Sequence, residues 1–218
     1  MKNKIIQGIL QLIGIMIVGA IIGYAVGKIA GDTLARVDTP NIILLLIAGV
    51  IAFILHIIVH EAGHLFFGLL SGYKFISFRV FDFKIIKDEN GKFKIRFERL
   101  AGTGGQCLMR APEYVEGKFK YKLYLLGGVI FNIVFSIAFW LILPSYYTLL
   151  FALIGFALAF LNFIPMGFND GMTFYHVSKD ETTRFVLYLQ LEYVYYQSIG
   201  KNLLIEQPTI VEKINSLE

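Results

Sequence analysis

Residues 42–70 read IILLLIAGVIAFILHIIVHEAGHLFFGLL, a run that opens as pure hydrocarbon and then gathers three histidines and a glutamate between positions 56 and 64. A helix crossing a bilayer needs about 20 mostly apolar residues, and this stretch supplies more than that. Imidazoles and carboxylates without partners are costly in hydrocarbon, so their accumulation asks for something that offsets the cost. His60 follows Ile42 by eighteen residues, about 27 Å along a helix. That depth lies toward one surface of a hydrocarbon core about 30 Å thick.

Within the run, His60-Glu61-Ala62-Gly63-His64 has the form H-E-x-x-H. Residues i and i+4 share a helix face, so the two imidazoles converge. A catalytic zinc takes three protein ligands and keeps a fourth position for water. Glu61 sits where a carboxylate can take a proton from that water. The competing reading makes the histidines satisfied core residues and Glu61 their structural partner, which leaves the burial cost to hydrogen bonds alone. His56 precedes His60 by one turn but lies about 12 Å along the axis from His64, too far for one straight helix to close all three on one ion. It is expected to support the site, to bind an incoming metal or to hydrogen-bond within the bundle. His176 is a further surplus candidate.

The rest of the chain shares the apolar bias. Of its 218 residues 56% are hydrophobic and 17% charged, against roughly 45–50% apolar and 25% charged in soluble proteins, and the mean hydropathy is +0.66. The expected fold is a membrane α-helical bundle. A net charge of +4 without a dense basic stripe points to membrane lipids as partners and not to nucleic acid. Cys107 is the one cysteine, which excludes an intrachain disulfide.

Four stretches are expected to span: Ile5–Ile29, Ile42–Leu70, Leu123–Leu143 and Tyr146–Pro165. The first resembles a signal peptide in charge, but its apolar run is too long, so it is expected to be retained. Its Gly19, Gly23 and Gly27 offer a strip for close helix approach. Residues 71–122 hold twelve Lys/Arg against six Asp/Glu, whereas the other loops are balanced or uncharged. The positive-inside rule then sets both termini and this segment in the cytoplasm.

Phe93, Ile95 and Phe97 alternate with Lys92, Lys94, Arg96 and Glu98, the period of a strand with one wet face. With a turn at Asn90-Gly91 and an apolar strand around residues 75–86, the expectation is one membrane-associated β-hairpin over 72–99. AGTGGQCLM (101–109) reads as a glycine-rich bend. The domain expected is a polytopic core over 1–171, then a tail over 172–218 whose aromatic residues 185–199 form an interfacial helix or one folded back on the bundle, with a fifth crossing as the alternative.

Asp170 is the candidate third ligand. The span ending near Pro165 delivers it to the same membrane face as His60, and the proline and glycines of NFIPMGFNDG (162–171) turn the chain there. An ordinary turn with Asn162 as a cap is the open alternative. HEAGH followed by N-x-x-P-x-x-x-x-D-G resembles the site-2 protease family of intramembrane zinc metalloproteases, with Asn162, Pro165, Asp170 and Gly171 matching in spacing. LGGVIFNIVFS (126–136) is similar to a further family segment through Gly127, Gly128 and Asn132. Asn169 departs from the pattern, standing where many members have an apolar residue.

The resemblance implies a zinc centre of His60, His64 and Asp170, with Glu61 as the base and Asn132 and Asn162 binding the substrate. For Asn132, bonding between helices is the alternative. The activity expected is hydrolysis of peptide bonds in or near a transmembrane segment of a single-span protein, signal-peptide remnant or membrane-associated propeptide. The alternatives are a zinc peptidase of membrane-surface peptides and a metal-binding scaffold without catalysis.

Overall fold

The protein is seen in a computed structural model, which describes residues 41–87, 91–99 and 103–210 together with Tyr24, Gly27, Lys28 and Gly31. The expected span Ile5–Ile29 falls almost wholly outside the described residues.

Among the described residues, three helices are long and apolar enough to cross a membrane: α1 (Ile42–Leu70), α2 (Lys122–Ile142) and α3 (Tyr146–Phe163). α1 and α3 are each started and stopped by local devices. The Asn41 side chain accepts the Ile43 N–H at the head of α1. At its end the chain turns through Gly72 at φ +92°, the left-handed conformation that costs glycine least. Ser145 and Thr148 form a reciprocal capping box on α3, satisfying donors that a helix start leaves orphaned. Pro165, just past Phe163, cannot continue that helix. Ile43, Leu46, Val50 and other large residues of α1 are more than half exposed, a surface that lipid tolerates and water does not.

α1 and α2 meet backbone to backbone. A β-carbon added at Gly63 would stand 2.2 Å from the Gly127 carbonyl oxygen, and one at Gly127 2.4 Å from that of Gly63. Small residues at such a crossing substitute close packing for the hydrophobic drive that lipid removes. The seam lies inside the H-E-x-x-H segment, so it fixes the height of the histidines against α2.

The polar segment after α1 is a four-stranded antiparallel sheet and not a single hairpin. β1 (Lys74–Val80), β2 (Phe83–Lys87), β3 (Phe93–Phe97) and β4 (Gly105–Arg110) lie in the order β3-β2-β1-β4. The expected pairing on either side of Asn90-Gly91 is present, with β2 antiparallel to β3 from Phe83↔Phe97 to Lys87↔Phe93, and two features extend the hairpin over 72–99 into a sheet. The apolar run 75–86 is cut by a turn at Phe81–Asp82, where Phe81 adopts φ +50° and Asp82 is the one turn-forming residue to announce it. The glycine-rich stretch continues into β4, which pairs along β1 from Val80↔Gly105 to Lys74↔Arg110. Arg79, 1% exposed, braces the junction by donating to the Phe81 carbonyl at 2.7 Å and to the Thr103 hydroxyl.

Three shorter helices follow, α4 (Asp170–Val177), α5 (Glu181–Ser198) and α6 (Leu203–Glu206). The expected boundary at 171/172 falls inside α4. α5 is folded back on the bundle, one of the expected alternatives: Leu187 and Leu191 pack in one buried cluster with Tyr73, Cys107, Met109 and Tyr124. Glu192, 2% exposed, takes Arg110 of β4 in a forked bond with contacts of 2.9, 2.9 and 3.2 Å. The Arg110 guanidinium lies 4.0 Å over the Tyr195 ring. Tyr188, Tyr195 and Tyr196 thus pack against protein, while Tyr193 stays 54% exposed.

Candidate metal centre

α1 carries His56, His60, Glu61 and His64 on its buried face, and α4 begins at Asp170. The chain from α3 to α4 is folded tightly by Asn169. Its amide nitrogen donates to the Leu161 and Ile164 carbonyls, both at 2.6 Å. Its amide oxygen accepts the Met172 N–H at 2.9 Å as the cap of α4. Gly171 completes the turn, since a β-carbon there would stand 2.0 Å from the Phe163 carbonyl oxygen. Asn169, the departure from the family pattern, is therefore what aims Asp170.

Aimed this way, Asp170 meets the two histidines. Its Oδ2 lies 2.9 Å from His60 Nε2 and 3.3 Å from His64 Nε2, while the two Nε2 atoms are 3.2 Å apart. His64 Nδ1 is 2.7 Å from the Tyr124 carbonyl. A carbonyl only accepts, so this nitrogen carries a proton and the Nε2 atom is the one turned inward. Burial alone would raise the Asp170 carboxyl, but hydrogen bonds and charge from His60 and His64 outweigh it and hold it well below the usual carboxylate range. Two imidazole nitrogens and an ionised carboxylate facing one point could hold a metal ion, and these three form a ligand-competent group among the described residues.

Glu61, 8% exposed, lines the same cleft of about 480 Å³ as the three candidate ligands. The opposite wall is the start of β4. A β-carbon at Gly105 would stand 2.5 Å from Glu61 Oε1, and the Cys107 main-chain amide bonds the Glu61 carboxylate. Glycine at 105 thus lets a main chain approach the carboxylate. The Cys107 thiol beside it is pushed up to about 12 by burial and by the nearby Glu61 charge.

The other sequence candidates separate clearly. Asn162 lines the cleft with its amide nitrogen bonded back to the Leu158 carbonyl at 3.0 Å, so it is not a helix cap. Asn132 is fully buried, and its amide lies between His56 Nδ1 at 3.2 Å and His60 Nδ1 at 3.4 Å. Both ends of the amide are engaged by protein, as in the alternative reading, and the residue also lines the cleft. His56 is also fully buried, its ring 4.0 Å from that of Phe151, and it stands outside the ligand group. His176 is exposed on α4 and likewise stands apart. Sequence reasoning missed Asn169 and Tyr124. An asparagine before the first helical residue is a capping signal that could have found the former, whereas a main-chain carbonyl leaves none.

Comparisons with protein-family models, with curated proteins and with solved structures find no match to the chain.

Proposed function

We propose that the protein is an intramembrane zinc endopeptidase in which His60, His64 and Asp170 hold the metal and Glu61 is the base. The observation that carries the reading is the meeting of His60 and His64 with a carboxylate 106 residues further along the chain, with Glu61 lining the same cleft. For zinc bonds of about 2.0–2.1 Å a tetrahedral edge is about 3.3–3.4 Å. The 2.9–3.3 Å separations of the three donors need only a small expansion to reach it. Two nitrogens with one oxygen suit zinc better than calcium or magnesium, which prefer oxygen throughout.

Bound there, zinc would supply Lewis acidity to the scissile carbonyl and make water acidic enough to attack near neutral pH. The chain's own residues do the rest. Glu61 takes the water proton at its carboxylate and returns it to the amide nitrogen as that bond breaks. Asn169 holds Asp170 on its side of the cleft, and the Tyr124 carbonyl keeps the His64 proton away from it. Glycines 104 and 105 leave room for a substrate backbone.

An intact substrate helix hides its carbonyls, so the scissile segment must enter extended. The strand edge bordering the cleft is that of β4, and strand addition there would replace the helix bonds the substrate gives up. The substrate class that fits is a membrane-spanning or membrane-anchored segment cut near its end. The basic residues of 71–122 support a cytoplasmic opening. A scaffold reading drew on a spare metal-binding His56, and that histidine is engaged by Asn132 and Phe151.

The test is cleavage of tagged single-span substrates by the detergent-solubilised protein and by Glu61→Gln. The proposal expects Glu61→Gln to keep zinc and lose about 10²-fold or more in cleavage rate, the scale of general-base catalysis. Equal cleavage by both proteins would sink the role of Glu61.

A further inference from the structure

Arg79 of β1, 1% exposed, is the one buried arginine or lysine among the described residues, and no step of the proposed chemistry uses it. Its partners are neutral. Nη1 donates to the Phe81 carbonyl at 2.7 Å and lies 3.5 Å from that of Thr103, while Nη2 donates to the Thr103 hydroxyl. Nε is buried and meets no acceptor. A guanidinium set among neutral acceptors, with one donor unpaired, is costly to bury. Stability alone does not account for it, so the question is what these bonds hold.

They hold the rim of the cleft. Thr103, Gly104 and Gly105 line it together with His60, Glu61, His64 and Asp170. The two glycines stand where this wall runs close to α1: a β-carbon at Gly104 would lie 3.1 Å from Ile57 Cδ1, and one at Gly105 2.5 Å from Glu61 Oε1. Glycine permits that approach but offers no side chain to fix it, and it has the most backbone freedom to lose. The β1–β4 ladder ends at Val80↔Gly105, so Thr103 and Gly104 lie beyond its reach. Among the described residues, two ties secure them. The Phe81 N–H donates to the Gly104 carbonyl at 2.8 Å, and Arg79 joins the Phe81 carbonyl and Thr103 through one planar, pre-organised group.

We propose that Arg79 is a positioning residue for substrate entry, pinning Thr103–Gly105 so that an extended segment meets a rim already in place. The inference deepens the peptidase reading and rests on it. A guest strand that must also order its host loses the affinity that ordering consumes. Loosening the rim therefore weakens the guest. The candidate ligands and Glu61 keep their places, because α1, α4 and the Cys107 amide hold them.

The test uses the full zinc-loaded chain in detergent, with a tagged single-span protein as the probe. Arg79→Met and Thr103→Val should each raise KM about tenfold, roughly the cost of ordering one residue, while kcat and zinc affinity stay near those of the parent. Thr103→Ser restores the hydroxyl and should recover the parental KM. Hydrogen exchange read by mass spectrometry supplies a measurement free of activity. Peptides covering 103–105 should exchange faster in Arg79→Met and Thr103→Val, and those of α1 at the parental rate.

A parental KM, or parental exchange at 103–105, in both variants overturns the proposal. So does an unchanged KM with kcat and zinc affinity falling together, the mark of a general structural defect. If Arg79→Met does not fold, the Thr103 pair decides alone, and equal KM for Thr103→Val and Thr103→Ser overturns it. A parent that cleaves, with Arg79→Met at parental KM, refutes the entry role alone. A zinc-loaded parent that cleaves no span refutes the peptidase reading, and the entry role with it.

Discussion

Two glycines face two different parts of the site, and substituting each separates metal binding from proton transfer. In Gly128→Ala the new methyl carbon would stand 2.5 Å from His60 Nε2 and Cε1 and 2.6 Å from Nδ1. Ordinary carbon contacts lie at about 3.5–4.0 Å, so the ring must retreat by roughly 1 Å. Metal–ligand distances tolerate about 0.2 Å, so that retreat removes His60 from the ligand set. Zinc affinity should then fall by more than the roughly 10–100-fold seen when an outer partner is lost. If the ring is held instead, overpacking should cost the fold about 1–3 kcal/mol.

Gly105→Ala sets its methyl 2.5 Å from Glu61 Oε1, 2.6 Å from Cγ and 2.9 Å from Cδ, displacing the carboxylate while leaving the ligands alone. It should keep zinc and lose cleavage. The assay is chelator competition on both variants beside thermal unfolding in detergent and cleavage of a tagged span. Gly128→Ala with parental zinc affinity and parental stability would refute the geometry. So would Gly105→Ala that loses zinc.

Three further outcomes follow. Asn169→Ala removes the cap of α4 and the two bonds to Leu161 and Ile164. It should cost about 1–2 kcal/mol and loosen zinc about tenfold, read by thermal unfolding and chelator competition, whereas Asn169→Asp keeps the cap and should recover part of the stability. Glu192→Ala leaves Arg110 without its partner. Arg110 keeps 28% side-chain exposure, so the loss should be about 2–3 kcal/mol, below the roughly 3–5 of a fully buried pair, and near zero loss in denaturant titration would show the pair idle. Cys107, buried with its thiol pushed up to about 12, should resist maleimide at pH 8 until the protein is unfolded. Because the folded thiol holds its proton more tightly than a free one near 8.5, this contribution to stability is complete below that value and fades as pH rises toward 12.

What the sequence disclosed, and what it hid, divides by range. α1, α2 and α3 announce themselves because hydrocarbon demands long unbroken apolar runs, and the expected ends at Leu143 and Pro165 differ from Ile142 and Phe163 by one and two residues. The pairing of His60 with His64 is equally local, a matter of helical spacing. Asp170 needed a resemblance, because no periodicity links it to a helix so far upstream. The sheet was half hidden. Phe81 turns the chain without glycine, proline or asparagine, and the glycines before β4 disguised a strand as a bend. Asn132 was seen as a polar residue in need of a partner, but its two imidazole partners on α1 lie 76 and 72 residues away. α5 stayed open between a bilayer surface and the bundle because its tyrosines suit either, and only the distant Arg110 and the β4 surface decide it.

The outer edge of β4 has a consequence for how a peptide could enter. Phe81 N–H donates to the Gly104 carbonyl at 2.8 Å, so by strand alternation Gly105, Cys107 and Met109 turn their main-chain groups away from β1. At Cys107 both are already taken, the amide by Glu61 and the carbonyl by the Tyr124 hydroxyl at 3.1 Å. A guest strand extending along that rim past Gly105 must evict Glu61 from its resting hydrogen bond. Arrival of the guest and release of the base then become one event, which keeps the carboxylate parked while the groove is empty.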